Sequence, residues 1–297
     1  MIDPVFYVFV AVAILSYGIQ SPLNVLFSRR LGALRFTVYR NLSLAVTMAP
    51  VLLFAPWEEV LAIHTMLPVL LLASATGAFG FICLQTAARY LPVGITQAIR
   101  QAVYVTGTVI LGALFFGEYL TLMQLLVLAG VLLASVFIMV SRSNHAHLDS
   151  SKHGRGVMFS VVAGVSVAFS FYFFSQLSRE LNPLVAGYFW EATIGVLTFA
   201  YMLFEKYRGA YVDPITLPLK EIGVIALMSL TTISGTLGYA YAVNYGPFAL
   251  ASGLVTSTVL ISAVVSWFLF KERLTMWQVC LILIVTGLMI LLRFISG

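Results

Sequence analysis

Ten stretches of about 20 mainly apolar residues run through this sequence. A helix needs about 20 such residues to cross the hydrocarbon core of a bilayer. Because backbone polar groups find no water there, each stretch is expected to be a helix, whose backbone hydrogen bonds are internal. The predicted fold class is therefore an all-α membrane protein with ten transmembrane helices. These spans, numbered 1 to 10, cover residues 5–27, 36–54, 66–88, 93–116, 122–140, 157–177, 184–204, 222–243, 248–270 and 276–292.

The composition argues against an ordinary soluble enzyme. Of the 297 residues, 61% are hydrophobic and 9% are charged, whereas a soluble domain averages about 25% charged residues. Such a chain cannot cover its surface with polar groups, so its surroundings must be largely lipid. The net charge of +5 comes from basic residues scattered over short loops. Without a basic run, nothing indicates nucleic acid as a partner, and the predicted partners are membrane lipid and a small-molecule solute.

A pair of motifs occurs twice, half a chain apart. A Tyr-x-Pro motif precedes span 4 at Tyr90 and span 9 at Tyr245, 155 residues later. The pattern Glu-x-Leu-Thr-x-x-Gln follows these spans, beginning at Glu118 and, 154 residues later, at Glu272. The sequence thus predicts a first five-helix repeat at 1–141, a linker at 142–155 and a second repeat at 156–297. Five helices return the chain on the opposite side, so the repeats are expected to be inverted.

The distribution of Lys and Arg predicts the orientation in the membrane. Loops on one face hold 12 of the 16 basic residues, and the other face holds Arg179 and Arg293. The positive-inside rule places the basic face in the cytoplasm and both termini outside, which suits a bacterial inner-membrane protein. The 12 residues are Arg29, Arg30, Arg35, Arg89, Arg142, Lys152, Arg155, Lys206, Arg208, Lys220, Lys271 and Arg273.

Three ionisable residues fall inside the apolar stretches: Arg40, Arg100 and Glu191. A charge near the bilayer centre costs about 2.5–3.5 kcal/mol on insertion scales, so each is a candidate functional residue. Arg40 and Glu191 occupy similar places in the second span of each repeat. They suit either a salt bridge between the repeats or a role in coupling and gating. Glu191 could carry a proton for part of a transport cycle, which makes protons the candidate coupling ion.

Arg100 lies on a polar stripe of span 4. Gln97, Arg100, Tyr104 and Thr108 follow a spacing of three and four residues, so they share one helix face. Lipid would reject this face, and a guanidinium fits carboxylate or phosphate, which indicates an acidic solute. The alternative is that Arg100 only pairs with Glu191. The predicted substrate-binding residues are Arg100, Gln97, Gln101, Tyr104, Trp190, Ser252 and Thr256, with Glu191 and Arg40 predicted to act in coupling or gating.

The duplicated Glu-x-Leu-Thr-x-x-Gln pattern, on ten predicted helices in two halves, resembles the drug/metabolite transporter superfamily of the EamA type. The residues that carry this resemblance in the first copy are Glu118, Leu120, Thr121 and Gln124. Arg40 resembles an arginine found early in the second helix of the family. The resemblance implies secondary transport of small metabolites, commonly export of amino acids, through a central cavity to which spans 4 and 9 contribute.

The sequence therefore predicts a secondary active transporter that exports a small carboxylate-bearing metabolite, such as an amino acid, by alternating access. One alternative is an importer of a vitamin or cationic metabolite with Glu191 as its anchor. A membrane-embedded lipid-handling protein or enzyme is the other, but the sequence shows no nucleophile beside a base. No phosphate-binding loop or metal-ligand spacing occurs either, so neither cofactor nor metal is predicted. The oligomeric state is left open.

Overall fold

Helices account for all the regular structure in the described part of the chain. The computed structural model describes residues 2–87, 90, 93–141, 153–210 and 216–270, with 276, 277, 280, 283, 284 and 287. Short 3-10 helices at Ala49–Phe54 and Ile63–Met66 flank the third α-helix. The α-helices are α1 (Pro4–Leu31), α2 (Ala33–Thr47), α3 (Trp57–Ala62), α4 (Leu67–Ala87), α5 (Val93–Phe115), α6 (Leu122–Ser141), α7 (His153–Glu180), α8 (Pro183–Tyr207), α9 (Leu219–Tyr245), α10 (Phe248–Val255) and α11 (Thr258–Phe270).

The described helices confirm a helical membrane protein. Seven helical segments among the described residues are long and apolar enough to cross a membrane, and they coincide with spans 1 to 4 and 6 to 8. Two shorter apolar segments, Leu122–Ala134 and Phe248–Ser262, coincide with spans 5 and 9. Span 10 falls largely outside the described residues, as do linker residues 142–152 and motif residues 271–275. The count of ten spans stays a prediction.

Two of the long helices begin with the same local chemistry. Asp3 accepts a hydrogen bond from the Val5 backbone N–H at 2.8 Å ahead of Pro4, the first residue of α1. Asn182 does the same for the Leu184 N–H at 3.0 Å at the start of α8. A polar N-cap followed by proline satisfies a free N–H and presets the helical backbone angle. The sequence therefore fixes where these helices begin.

Span 9, predicted as one helix, is broken into α10 and α11. The Thr256 N–H bonds to the Gly253 carbonyl at 3.2 Å, and the Ser257 N–H bonds to the Leu254 carbonyl at 2.9 Å. The Thr256 hydroxyl also donates to the Gly253 carbonyl, at 2.6 Å. These bonds reach three residues back instead of four, and a threonine hydroxyl competes with the α-helical ladder in this way. The break lies among fully buried residues.

Helix α1 packs antiparallel along α9. Tyr17, near the middle of α1, contacts Thr236 in the second half of α9. Arg30, near the end of α1, contacts Glu221 at the start of α9. Later residues of α1 therefore contact earlier residues of α9, as antiparallel helices do.

Helix α7 runs along α9 in the parallel direction. Ser175 lies beside Tyr239, with 3.4 Å between their hydroxyl oxygens, and Arg179 donates to the Val243 carbonyl at 3.0 Å. Helices α1 and α7 are the first long helices of the two halves of the chain. They therefore run in opposite directions.

Helix α7 packs tightly against α5 beside Arg100. A Cβ atom added to Gly164 would lie 2.7 Å from the Arg100 carbonyl oxygen and 2.7 Å from Val103 Cβ. Atoms do not pack that closely, so glycine is what allows this approach. Gly164 in this way helps to position the backbone that carries Arg100.

Gly164→Ala is expected to lower the free energy of unfolding by about 1–3 kcal/mol, because overpacking forces the helices apart. Gly223→Ala is the matched control, since nothing lies within 4 Å of its added Cβ. That change should leave stability unchanged or raise it by up to about 1 kcal/mol through helix propensity. Thermal unfolding of the purified protein in detergent measures both, and equal falls in melting temperature would contradict the tight α5–α7 contact.

Candidate functional site

The guanidinium of Arg100 is organised by its own helix. Its Nε donates to Gln97 Oε1 at 2.9 Å, and its Nη2 donates to Gln101 Oε1 at 3.0 Å. Arg100 is half-buried within α5. Among the described residues, no carboxylate oxygen lies within 4 Å of this guanidinium, so the ion pair with Glu191 that the sequence left open is not formed here. The positive charge is held in place without a counter-charge from those residues.

Polar side chains from α9 and α10 meet Tyr104 next to Arg100. The hydroxyl oxygens of Tyr239 and Ser252 are 2.7 Å apart, and both residues are fully buried. Tyr104, 4% exposed, lies one turn after Arg100 on α5 and within electrostatic range of both hydroxyls and of the Arg100 guanidinium. Side chains from both halves of the chain thus converge here. We call this group the Arg100 cluster: Gln97, Arg100, Gln101, Tyr104, Tyr239 and Ser252.

An aromatic wall that includes Trp190 lies against this cluster. The rings of Trp190 and Phe174 stack at 4.1 Å between centroids. The ring of Phe171 meets both Trp190 and Tyr239 edge-on, at 5.4 and 4.8 Å. The Trp190 Nε1–H is buried and has no acceptor among the described residues. A buried donor without a partner is costly, so this N–H is available to a polar group of a ligand.

Glu191 is buried next to Trp190 in the sequence of α8. It is 5% exposed, and its Oε1 accepts a hydrogen bond from the Thr236 hydroxyl at 2.7 Å. The Tyr17 hydroxyl lies 3.2 Å from the same threonine oxygen. Within the described residues, no Lys or Arg nitrogen approaches Glu191 within 4 Å. The salt bridge with Arg40 that the sequence suggested is therefore absent from this structure.

Arg40 is 8% exposed and bonds to neutral groups. Its Nη1 donates to Asn41 Oδ1 at 2.5 Å, and its Nη2 donates to the Thr232 hydroxyl at 3.2 Å. With the Gln20 amide turned so that its oxygen faces the guanidinium, Arg40 Nη2 and Nε also donate to that oxygen, at 2.7 and 2.9 Å. We call this second group the Glu191 cluster: Tyr17, Gln20, Arg40, Glu191, Thr232 and Thr236.

The two clusters meet at three tyrosines. Tyr17 contacts Thr236, which donates to Glu191, and Tyr239 lies three residues after Thr236 on the same helix and contacts Ser252. Tyr104 lies within electrostatic range of both Tyr17 and Tyr239. Polar side chains therefore occupy the apolar bundle between Arg100 and Glu191.

The hydroxyls of Thr108 and Thr256 are hydrogen-bonded to backbone carbonyls three residues earlier in the chain. The Thr256 hydroxyl donates to Gly253, and the Thr108 hydroxyl donates to the Val105 carbonyl at 2.9 Å. Both threonines are almost fully buried. Hydroxyls used in this way are not free to contact a solute, which makes Thr256 a weaker candidate for binding.

Sequence reasoning missed the residues that hold Arg40 and Glu191. Tyr17, Thr232 and Thr236 were not among the predicted site residues, although they contact these charges. Thr232, Thr236 and Tyr239 are spaced by four and three residues on α9. The spacing rule that identified the stripe on α5 would have identified this one.

The Glu-x-Leu-Thr-x-x-Gln motif has two structural roles in its first copy. Glu118 Oε2 accepts a hydrogen bond from the Ala249 N–H at 3.1 Å, at the start of α10 in the second half of the chain. Thr121 and Gln124 form a capping box for α6, with the Thr121 N–H bonded to Gln124 Oε1 at 2.9 Å and the Gln124 N–H to Thr121 Oγ1 at 3.3 Å. The motif both starts a helix and joins the two halves.

A cleft of about 570 Å³ lies at the end of the bundle where α7 and α9 end. Arg179 Nη2 and Glu118 Oε1 form an ion pair in its lining, at 2.6 Å. None of the predicted site residues lines this cleft. Its lining comprises Glu118, Ser178, Arg179, Leu181, Val243, Asn244, Tyr245, Gly246 and Pro247.

The model of the EamA-like transporter family matches residues 5–140 and 154–293, nearly the whole chain in two stretches. The chain belongs to this family. As an EamA-like transporter it is a membrane protein that carries small molecules, and its family relationship favours a non-enzymatic role. The family resemblance inferred from the duplicated motif is confirmed.

One solved structure similar to this EamA-like transporter is described only as "Crystal structure of protein". It superposes with a TM-score of 0.73 over 98% of each chain, at 13% sequence identity. A likeness at this identity concerns the fold alone. No curated protein matches the sequence.

Proposed function

We propose that this EamA-like transporter exports a small carboxylate-bearing metabolite, such as an amino acid, by secondary active transport. The observation that carries the proposal is the Arg100 guanidinium. It lies half-buried in a membrane-spanning helix, bonded to two glutamine side chains, with no carboxylate among the described residues within 4 Å. Intramembrane charges are rare and mark solute pathways.

The geometry around Arg100 suits a carboxylate. A guanidinium has five N–H donors, and the two glutamines accept from Nε and Nη2. The remaining donors can form the paired hydrogen bonds that a carboxylate accepts from arginine. The free Trp190 Nε1–H and the Tyr104 hydroxyl stand nearby for other polar groups of the solute.

The arrangement of helices supports alternating access. The opposed directions of α1 and α7 relative to α9 agree with two inverted repeats. The Arg100 cluster draws side chains from both halves, at the place where inverted-repeat transporters bind their solutes. We place the protein in a bacterial inner membrane with its basic loops on the cytoplasmic side. In that orientation the Arg30 end of α1 faces the cytoplasm, and the Arg179 end of α7 faces the opposite side.

Glu191 is the proposed carrier of a coupling proton. Its carboxyl is buried and bonded to one hydroxyl, and no Lys or Arg nitrogen among the described residues lies within 4 Å of it. Protonation would remove a buried charge, which favours a different packing of α8 against α9. Proton entry would then drive solute export. Arg40 is proposed to support gating from the same cluster, through Gln20 and Thr232.

The unpaired carboxyl of Glu191 also favours a second candidate function. A cationic metabolite or vitamin could use Glu191 as its anchor during import, with Arg100 in a structural role. The aromatic ring of Trp190 beside it would attract such a cation.

Competition for uptake separates the two candidates. Purified protein in liposomes is tested with a panel of labelled amino acids, in the presence of unlabelled carboxylates, the matching amides or quaternary amines. Carboxylates are expected to compete and their amides to compete at least about tenfold less well, because a charged hydrogen bond is lost. Competition by the amines, with none by carboxylates, would favour Glu191 as the anchor.

A further inference from the structure

Two ion pairs join the halves of the chain at opposite ends of the bundle. Arg30 of α1 pairs with Glu221 at the start of α9, at 2.6 Å. Arg179 of α7 pairs with Glu118, which follows α5, also at 2.6 Å, beside the end of α9. On α9 the pairs lie at Glu221 and beside Val243, so they are about 35 Å apart along the helix.

The two pairs are anchored unequally. The Arg30 side chain is 63% exposed, and exposed ion pairs contribute little to stability. The Arg179 side chain is 27% exposed, and its Nε also donates to the Val243 carbonyl at 3.0 Å. Its guanidinium carbon lies 4.1 Å from the centroid of the Phe116 ring. The Arg179 end is therefore held more firmly than the Arg30 end.

Glu118 also holds the helix that contributes to the Arg100 cluster. While Oε1 binds Arg179, Oε2 accepts the Ala249 N–H at the first turn of α10. Helix α10 has eight residues and is separated from α11 by the break. Three residues after Ala249, Ser252 bonds to Tyr239. A shift of Glu118 thus acts on a short helix that reaches the cluster.

We infer that Glu118 is a gating residue that couples the cleft to the Arg100 cluster through α10. Paired with Arg179, it closes the path from the cleft to the cluster and holds Ser252 against Tyr239. When the pair separates, α10 is released at its first turn and the cluster becomes accessible from the cleft. The inference rests on the proposed function in taking the Arg100 cluster as the solute site.

Thiol labelling of the full-length protein in detergent tests this coupling without any solute. Cys83→Ser and Cys280→Ser provide the background, and Ser178→Cys places one thiol on a buried part of the cleft lining. Glu118→Gln removes the charge but keeps an oxygen for the Ala249 N–H. It is expected to raise the maleimide labelling rate about tenfold, because a charge-assisted bond is lost. Glu221→Gln, the matched control at the other end, should leave the rate within about twofold because that pair is exposed.

A second thiol, from Ser252→Cys in the same background, reports on the cluster. Glu118→Gln is expected to speed its labelling as well. Faster labelling at position 178 alone would overturn the coupling through α10, and an unchanged rate at both positions would overturn the gating role. Should Glu118→Gln fail to fold, Arg179→Gln, which removes the positive charge of the same pair, is measured in its place with the same expected results. Because no solute is used, the labelling rates still test the gating role of Glu118 even if the protein does not transport carboxylates.

Discussion

Arg100→Ala is expected to reduce carboxylate uptake into liposomes by at least about 100-fold. The variant loses paired charge-assisted hydrogen bonds to the solute, each contributing about 1.5–3 kcal/mol. A loss of 1.4 kcal/mol corresponds to about tenfold in affinity, so two such bonds account for the effect. The initial rate of uptake at low solute concentration measures it.

Two further variants define what the Arg100 result means. Arg100→Lys keeps the charge but lacks the planar fork, so its uptake should fall between that of the native protein and that of Arg100→Ala. Arg208→Ala removes an exposed arginine at the end of α8 and should leave uptake unchanged. If Arg100→Ala folds, as judged by its melting temperature, and transports normally, Arg100 does not bind the solute.

Glu191→Gln is expected to abolish proton-driven accumulation while solute exchange continues. The glutamine has nearly the same shape and can still accept a hydrogen bond from Thr236, but it cannot take up a proton. With one proton exchanged per solute, a pH difference of one unit supports about tenfold accumulation, since one unit equals about 1.36 kcal/mol. The ratio of solute across the membrane should fall to one in the variant.

Counterflow with equal pH on both sides provides the control, because exchange of labelled for unlabelled solute needs no proton. Its rate should stay within about threefold of the native rate, since the replaced bond is worth less than 1 kcal/mol in membrane helices. Glu58→Gln changes an exposed carboxylate on α3 and should leave accumulation intact. Accumulation that persists in Glu191→Gln would exclude Glu191 as the proton carrier.

The contacts of Arg100 are local in the sequence. Gln97 lies three residues before it on the same helix face, and Gln101 is its direct neighbour, so both could be named without the structure. The partners of Arg40 and Glu191 are different, since Thr232 and Thr236 are 192 and 45 residues away. Packing between helices decides those contacts, and no local pattern on α2 or α8 contains them.

The fold shows the same division between local and long-range information. The apolar stretches and the duplicated motif predicted the helical class and the family, because both depend on composition and spacing. The break at Thr256 and Ser257 lies within a mainly apolar run, where three consecutive hydroxyl residues, Thr256, Ser257 and Thr258, are the signal in the sequence. The hydrogen bond between Ala249 and Glu118 joins residues 131 positions apart, so no local pattern in the sequence predicts it.

The hydrogen bond that the Ala249 N–H donates to Glu118 Oε2 joins the two halves of the chain. A carboxylate encoded in the first half completes a helix encoded in the second, so neither half is self-sufficient at this point. Substitutions that alter Glu118 in the first half, or the start of α10 in the second, must therefore stay compatible with each other.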